Sequence, residues 1–412
     1  MKIALVNYRY FISGGPERYY FNIKEILERN GHTVIPFSIK SPKNFKSEFD
    51  DYFMESVDDE EYFVNTRKTP ATVLKSFSRM FYSREAYRKF SRLLKDTKPD
   101  VVYIMQYHNK ISPSIIYAAK KAGVRVVHRI SDFQYLCPNA LFYNDTTGVC
   151  EDCLNGKLIS CVKNKCVHGS ALLSAIKVSA KAFHDMLGIA HKIDDFVVPS
   201  KFTLGKLAQF GIDQARLHHI PTFFNGNVDQ TSLSYEPFFL YIGRVEKEKG
   251  IKTLIDAFTG TSHKLIVIGF SNNGYDEELK KSLEGKEHNI EFTGRMDFAG
   301  ISGYLSRCLC TLVPSESYDN MPNTILEAFA YSKAVIATDF GSLPELVIDK
   351  VTGLTFPYGD VEALRQRIDY MSANPAEAMR MGKEARKMLD EKFTPEVHYR
   401  SLIEILKNPT SA

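Results

Sequence analysis

Short apolar runs alternate along this chain with apolar positions spaced as on one face of a helix. Residues 3–6 are a strand-length apolar run, Gly14 and Gly15 mark a turn, and residues 18–30 carry Tyr19, Ile23, Ile26 and Leu27 at helical spacing. Gly31 closes that helix, and 33–37 reads as the next strand. Strands at 101–105, 124–127 and 195–199 follow, with a helix at 113–122 between the first two. Such alternation predicts parallel βαβ units with helices on both faces of a sheet.

The theme repeats in the second half. Residues 238–242, 264–268, 290–293, 310–313 and 334–337 are strands by the same reading, with helices at 251–258, 276–283, 300–307 and 323–331 between them. The polar stretch 225–235 is the natural linker. The expected organisation is a first domain over 1–224, the linker, a second domain over 236–390, and a segment 391–412 whose helix at 395–407 packs back toward the first domain. Both domains are α/β and doubly wound.

Composition changes this picture little. Of 412 residues, 44% are hydrophobic and 25% charged, the make-up of a soluble globular chain. Lys plus Arg number 53 against 49 Asp plus Glu, so overall charge argues neither for nor against an acidic partner, and no nucleic-acid partner is expected. No apolar run reaches the ~20 residues that span a bilayer. Residues 171–192 come closest, and Lys177, Lys181 and Asp185 interrupt them. The start has no signal-peptide pattern, so a reducing cytoplasmic compartment is expected.

Local charge departs from this balance in two places. Residues 48–64 hold eight acids and no base. The stretch opening on Arg67 and ending on Lys98 holds ten Lys or Arg against two acids, with Phe77, Phe81, Tyr82, Tyr87 and Phe90 interleaved. A basic amphipathic helix here would meet a membrane surface, the inner face for a cytoplasmic protein. An ordinary surface helix and pairing with the acidic run are the other readings. Cys150, Cys153, Cys161 and Cys166 fall within 17 residues, a set compatible with a structural zinc site, with His168 or Cys137 as substitute ligands.

In doubly wound sheets ligands bind beyond the carboxyl ends of the strands. Gly14 and Gly15 occupy such a loop, where bare backbone and a helix N-terminus suit a phosphate or sugar. Arg244 and Lys249 lie in another, five apart and able to converge on a diphosphate. After the run 310–313 come Asp319, Asn320, Met321, Pro322, Asn323, Thr324 and, one turn into a helix, Glu327. Helix-start N–H groups can hold a phosphate, and the flanking carboxylates suit hydroxyl-rich sugars.

With SGGPE, YHNKISPS, SDFQYLCPNALF, YIGRVEKEKGIKTLIDAF, PSESYDNMPNTILEAFA and GSLPELV in this order, the chain resembles the family 4 retaining glycosyltransferases of the GT-B fold. The resemblance implies two Rossmann-like domains facing each other across a cleft, and transfer of a hexosyl group from a nucleotide-diphosphate-sugar to a saccharide or lipid-linked saccharide acceptor, as in surface polysaccharide or lipopolysaccharide assembly. It implies that Arg244 and Lys249 hold the donor diphosphate, that Glu327 binds ribose hydroxyls, and that Asp319 meets the transferred sugar. Asp319 replaces the usual Glu, one methylene longer, with Glu316 a substitute candidate. Ser131 stands where relatives often have His, and His108 and His128 are the nearby histidines, of which His108 follows a strand and faces ligand. No Asp-x-Asp motif occurs, so no catalytic metal or other cofactor is expected. A sugar phosphorylase or sucrose-type synthase with a soluble acceptor, and a sugar-nucleotide-binding protein without turnover, are the rival readings; Ser131 and Asp319 motivate the second.

Overall fold

A computed structural model of the chain describes residues 1–56 and 70–408. Strands β1 (Lys2–Val6), β2 (Thr33–Phe37), β3 (Val101–Ile104) and β4 (Arg125–Arg129) build most of the first sheet. A small hairpin of β5 (Tyr143–Asn144) and β6 (Gly148–Val149) intervenes before β7 (Asp195–Val198) and β8 (Leu217–His219) complete it, in the order β2-β1-β3-β4-β7-β8. The second sheet comprises β9 (Phe238–Ile242), β10 (Lys264–Ile268), β11 (Ile290–Gly294), β12 (Cys310–Val313), β13 (Ala334–Thr338) and β14 (Gly353–Phe356), in the order β11-β10-β9-β12-β13-β14. All pairings within both sheets are parallel. Ile3, Ala4, Leu5 and Val6 are fully buried, as expected of a strand covered on both faces. The strand order reverses beside β1 and beside β9, so each sheet opens a crevice there. The chain has the two-domain, doubly wound GT-B architecture.

Several elements differ from expectation. Strands β8 and β14 and the helices Val361–Ala373 and Pro375–Lys392 are additions. The first helix begins at Gly15, where Pro16 needs no N–H partner. The basic stretch forms two helices, Pro70–Phe81 and Arg84–Thr97, because Ser83 caps the second by accepting the Ala86 N–H at 3.2 Å. Phe90, Leu93 and Leu94 of the second helix are buried, while Arg84, Arg88 and Arg92 face solvent. Part of the acidic run is engaged by this helix. Lys89 Nζ lies 3.0 Å from Glu55 Oε1, and Arg92 donates to the Asp51 carbonyl at 2.9 Å. Acidic residues 58–61, together with Arg67 and Lys68, lie outside the described residues.

The chain passes between domains twice, and the two passages touch. The Phe224 N–H donates to the Phe393 carbonyl at 3.0 Å. Beyond that point the helix Pro395–Lys407 lies on the first domain, where Leu402 and Leu406 join Ile3, Leu5 and Tyr19 in one core cluster. Each such buried side chain contributes at most ~1.5–3 kcal/mol. Polar contacts add to it: Tyr19 OH and His398 Nε2 are 2.9 Å apart, and Arg125 donates to the Ile405 carbonyl at 2.6 Å. Much of the stretch 225–235 packs on the second domain, with Gln230 donating to the Ala330 carbonyl at 3.0 Å and Tyr235 to that of Ser332 at 2.9 Å.

Candidate functional site

Tight backbone packing brings the second domain's site residues together. Gly250, at φ +67°, ends the turn Lys247–Lys249 and caps the helix Ile251–Phe258. A Cβ on it would lie 1.7 Å from the Pro314 carbonyl oxygen, so only glycine lets this loop rest on the loop after β12. The Glu316 N–H donates to the Glu248 carbonyl at 3.0 Å, and Thr253 Oγ1 donates to Glu316 Oε1 at 2.5 Å. Glu316, half-buried, is thereby held by Thr253 of the helix Ile251–Phe258, and Asp319 is the carboxylate that meets Lys249, whose Nζ lies 2.5 Å from Asp319 Oδ1. Arg244 is half exposed and pairs with Glu248 at 2.9 Å. Its carbonyl accepts a hydrogen bond from Tyr241 OH at 2.6 Å. Burial and then the Asp319 charge push the Tyr241 phenol far above its ordinary range, against the pull of Arg244.

The helix Asn323–Ala330 starts after Pro322, with Asn323 and Thr324 half-buried in its first turn and Glu327 buried one turn in. Burial raises the Glu327 carboxyl, and Arg18 of the first domain, which is ion-paired to it, lowers it. A Cβ on Gly15 would sit 2.7 Å from Asn323 Nδ2, so the bare Gly15 backbone lets the first helix approach Asn323 without displacing that side chain. Gly14, the extended residue before it, meets no comparable obstruction. Two helix N-termini thus converge beside Glu327, an arrangement suited to an anion. Arg18 was not among the expected site residues. A cation in the first turn opposes the helix dipole, and that conflict was the available signal.

The first domain closes the cleft with β4 and the loop after it. Ser131 Oγ donates to the Met105 carbonyl at 3.1 Å and accepts from Arg129 Nη1 at 3.0 Å. Arg129 is buried, forms no ion pair among the described residues, donates to Thr222 Oγ1 at 2.8 Å and lies over the Tyr19 ring. Asn320 and Met321, expected to bind substrate, make hydrogen bonds that tie the domains together. Asn320 donates to the Ile130 carbonyl at 2.9 Å and accepts from Thr203 Oγ1 at 2.7 Å, and Met321 Sδ accepts the Thr222 N–H at 3.1 Å.

His108 lies apart from this group. It follows β3 as expected, but it stacks on Tyr107 at 3.9 Å between ring centroids and lines a cavity inside the first domain. No residue of the second domain lines that cavity. Cys161 is within hydrogen-bond reach of Cys153 and Cys166, and Cys153 and Cys161 form a small core with Val167. All four cysteines of the cluster, Cys150 included, are free thiols. Among the described residues no set of three or more His, Cys, Asp or Glu side chains is arranged to hold a metal ion. The loop is also anchored through Glu151, which accepts from Lys206 at 2.6 Å and from Tyr318 OH at 2.7 Å.

Asp132, next to Ser131, titrates at about 6 because of burial, against the lowering effects of the Gln134 N–H and Lys177. The folded chain therefore holds a proton that the unfolded chain has released above the ordinary value of 3.8. The stability this neutral acid contributes is present at low pH and is lost as pH rises through about 6. Asp132→Asn is expected to stabilise the fold at pH 7.5 by about 1–3 kcal/mol and to change little at pH 4. Denaturant unfolding at the two pH values measures this, and equal effects at both would remove Asp132 as the cause.

Known proteins match this arrangement. Residues 228–388 match the family of glycosyl transferases group 1, and residues 13–131 match glycosyltransferase family 4. An uncharacterized glycosyltransferase of Methanocaldococcus jannaschii is 27% identical over 267 residues, 63% of this chain and 68% of that protein. Two further curated relatives are matched over only 42% and 44% of their own length. Sucrose-phosphate synthase from Thermosynechococcus elongatus has a similar structure, with a TM-score of 0.69 at 19% identity over 98% of this chain and 99% of that one. The Anabaena protein HepE in complex with UDP aligns with a TM-score of 0.64 at 16% identity, over 98% of this chain and 99% of that one.

Proposed function

The chain belongs to the group 1 and family 4 glycosyltransferases, and from that premise we propose that it moves a hexosyl group from a nucleotide-diphosphate-sugar to a saccharide or lipid-linked saccharide acceptor in surface polysaccharide or lipopolysaccharide assembly, with retention and without a catalytic metal. One observation carries the reading: Lys249, paired with Asp319, shares a loop cluster with the helix start that bears Glu327, across from Gly15 and Arg18 of the other domain. The similarly folded HepE, whose structure is in complex with UDP, supports the reading that the donor is a nucleotide-sugar.

In this reading Glu327 accepts hydrogen bonds from the ribose and Asp319 meets the sugar. As the sugar–phosphate bond breaks, positive charge develops on the ring and negative charge on the diphosphate. Lys249, Arg244 and the N–H groups of Asn323 and Thr324 are preorganised for the latter. The leaving phosphate takes the proton of the acceptor hydroxyl, so no protein nucleophile is needed. Ser131 cannot carry the charge of a histidine, and its hydroxyl is already held by Met105 and Arg129.

The test is nucleotide release from a panel of nucleotide-sugars, with and without EDTA. One donor should stabilise the fold and be turned over at the same rate with chelator present. Stabilisation without release would favour a binding protein, and immediate Mg²⁺-reversible loss would overturn metal independence. Among the described residues no helix is long and apolar enough to cross a membrane. Contact with an anionic membrane face, proposed on the exposed Arg84, Arg88 and Arg92, would be read by salt-sensitive cosedimentation with anionic vesicles and refuted by its absence at low salt.

A further inference from the structure

Beyond the carboxyl ends of β3 and β4, a cavity of about 120 Å³ lies under the helix Ala171–Met186. It occupies the ligand-facing edge of the first sheet, and its neighbour Asp132 follows Ser131 directly in the chain. Its lining includes His108, Lys177, Lys181, His184 and His191, with the amides of Asn109 and Gln134 joined at 3.0 Å.

Several of these groups lack partners. The Lys177 ammonium makes no hydrogen bond and no ion pair among the described residues, although it feels the Asp132 charge. His184 Nε2 is buried with no hydrogen-bond partner. The His108 ring is packed against Tyr107 and Tyr135 and makes no side-chain hydrogen bond among the described residues. By contrast Lys181 is paired with Asp185 at 2.7 Å, and Tyr107, Tyr135 and His128 form a closed chain of hydrogen bonds of 2.8 and 2.9 Å. Buried polar groups are normally satisfied, and buried charges normally paired. Here His184 Nε2 is such a buried orphan, although its ring also feels the Met80 and Phe81 backbone, and the half-buried Lys177 and His108 line the same cavity with no protein partner for their side-chain nitrogens among the described residues.

We propose that this cavity binds a phosphate group of the acceptor, held by Lys177, His108 and His184. The inference rests on the glycosyl-transfer reading and names the acceptor class that reading leaves open. A phosphate presents several acceptor oxygens at once, which suits an ammonium and two ring nitrogens better than a neutral hydroxyl does. Burial holds Lys177 down to about 8 and both histidines below their ordinary range, so an arriving anion would favour the charged form of all three. The roof helix exposes Leu172 and Met186 to solvent, which fits a lipid-linked source of the phosphate. A soluble sugar phosphate offers the same chemistry.

The test follows the imidazole signals of His108 and His184 by ¹H–¹⁵N NMR of the full chain during titration with inorganic pyrophosphate. The signals should move toward the protonated form. Lys177→Gln should weaken that response by roughly tenfold to a hundredfold. Lys249→Ala, altered at the proposed donor diphosphate, should preserve it. A response lost in Lys249→Ala but kept in Lys177→Gln would belong to the donor site and overturn the proposal, as would silent signals. Farnesyl diphosphate and glucose 1-phosphate separate the sources: tighter binding of the first supports a lipid-linked acceptor, and of the second a soluble one. Nucleotide-sugar turnover with silent histidines would sink this inference alone and leave glycosyl transfer standing.

Discussion

Replacing Lys249 by alanine is expected to lower turnover by ~10²–10³-fold while changing donor affinity far less. The ammonium sits 2.5 Å from Asp319 in a loop pinned by Gly250 against Pro314, so it is held in place before the donor arrives. Negative charge on the diphosphate grows as the sugar leaves, and a fixed cation stabilises that state more than the bound donor. The variant also leaves the Asp319 carboxylate without its cation. Lys249→Ala with Asp319→Asn should therefore lose less than the two single effects combined. Single-turnover rates and donor affinities measure both quantities, and a Lys249→Ala protein with normal turnover would remove this residue from the site.

Glu327→Ala should act on the other side of the balance, raising the donor dissociation constant about tenfold to a hundredfold with a smaller change in turnover. Its carboxylate is buried and ion-paired with Arg18 across the cleft, so the change removes a ribose acceptor and leaves a guanidinium unpaired. Glu327→Gln keeps the shape and one acceptor oxygen, and should recover part of the affinity. Calorimetric titration with the turned-over donor decides this. Unchanged affinity in Glu327→Ala would mean that Glu327 serves only the ion pair.

The alternation of runs and helical spacing was enough to read both sheets and the placement of their loops, because strands buried on both faces leave continuous apolar runs. What escaped has physical causes. Strand β8 has only three residues and ends in His218-His219, too polar to register as a run. Strand β14 opens with Gly353, where a Cβ would lie 1.9 Å from the Val335 carbonyl, so close packing put a strand-weakening residue there. Leu364, Ile368 and Met371 do carry helical spacing, and the helix around them was legible yet not assigned. In the candidate site, the shared loop region of Arg244, Lys249, Asp319 and Glu327 was legible because each follows a strand within a short motif. Arg18 and the bridging role of Asn320 could not be read that way, since they depend on how two separately wound domains meet. His108 was placed at the correct sheet edge, but position along a strand does not reveal that Tyr107, Tyr135 and a long helix enclose it.

The paired passages at Phe224 and Phe393 also bear on the order in which the molecule can assemble during synthesis. The first sheet leaves the ribosome early, but Leu402 and Leu406, which complete its core, follow the whole second domain. Domains usually finish in the order in which they are translated. Here the second can close on itself while the first still shows an uncovered apolar face beside Ile3 and Leu5. The domain that begins first is completed last, so a nascent chain stalled before Pro395 would present that face to chaperones even though most of the protein had already emerged.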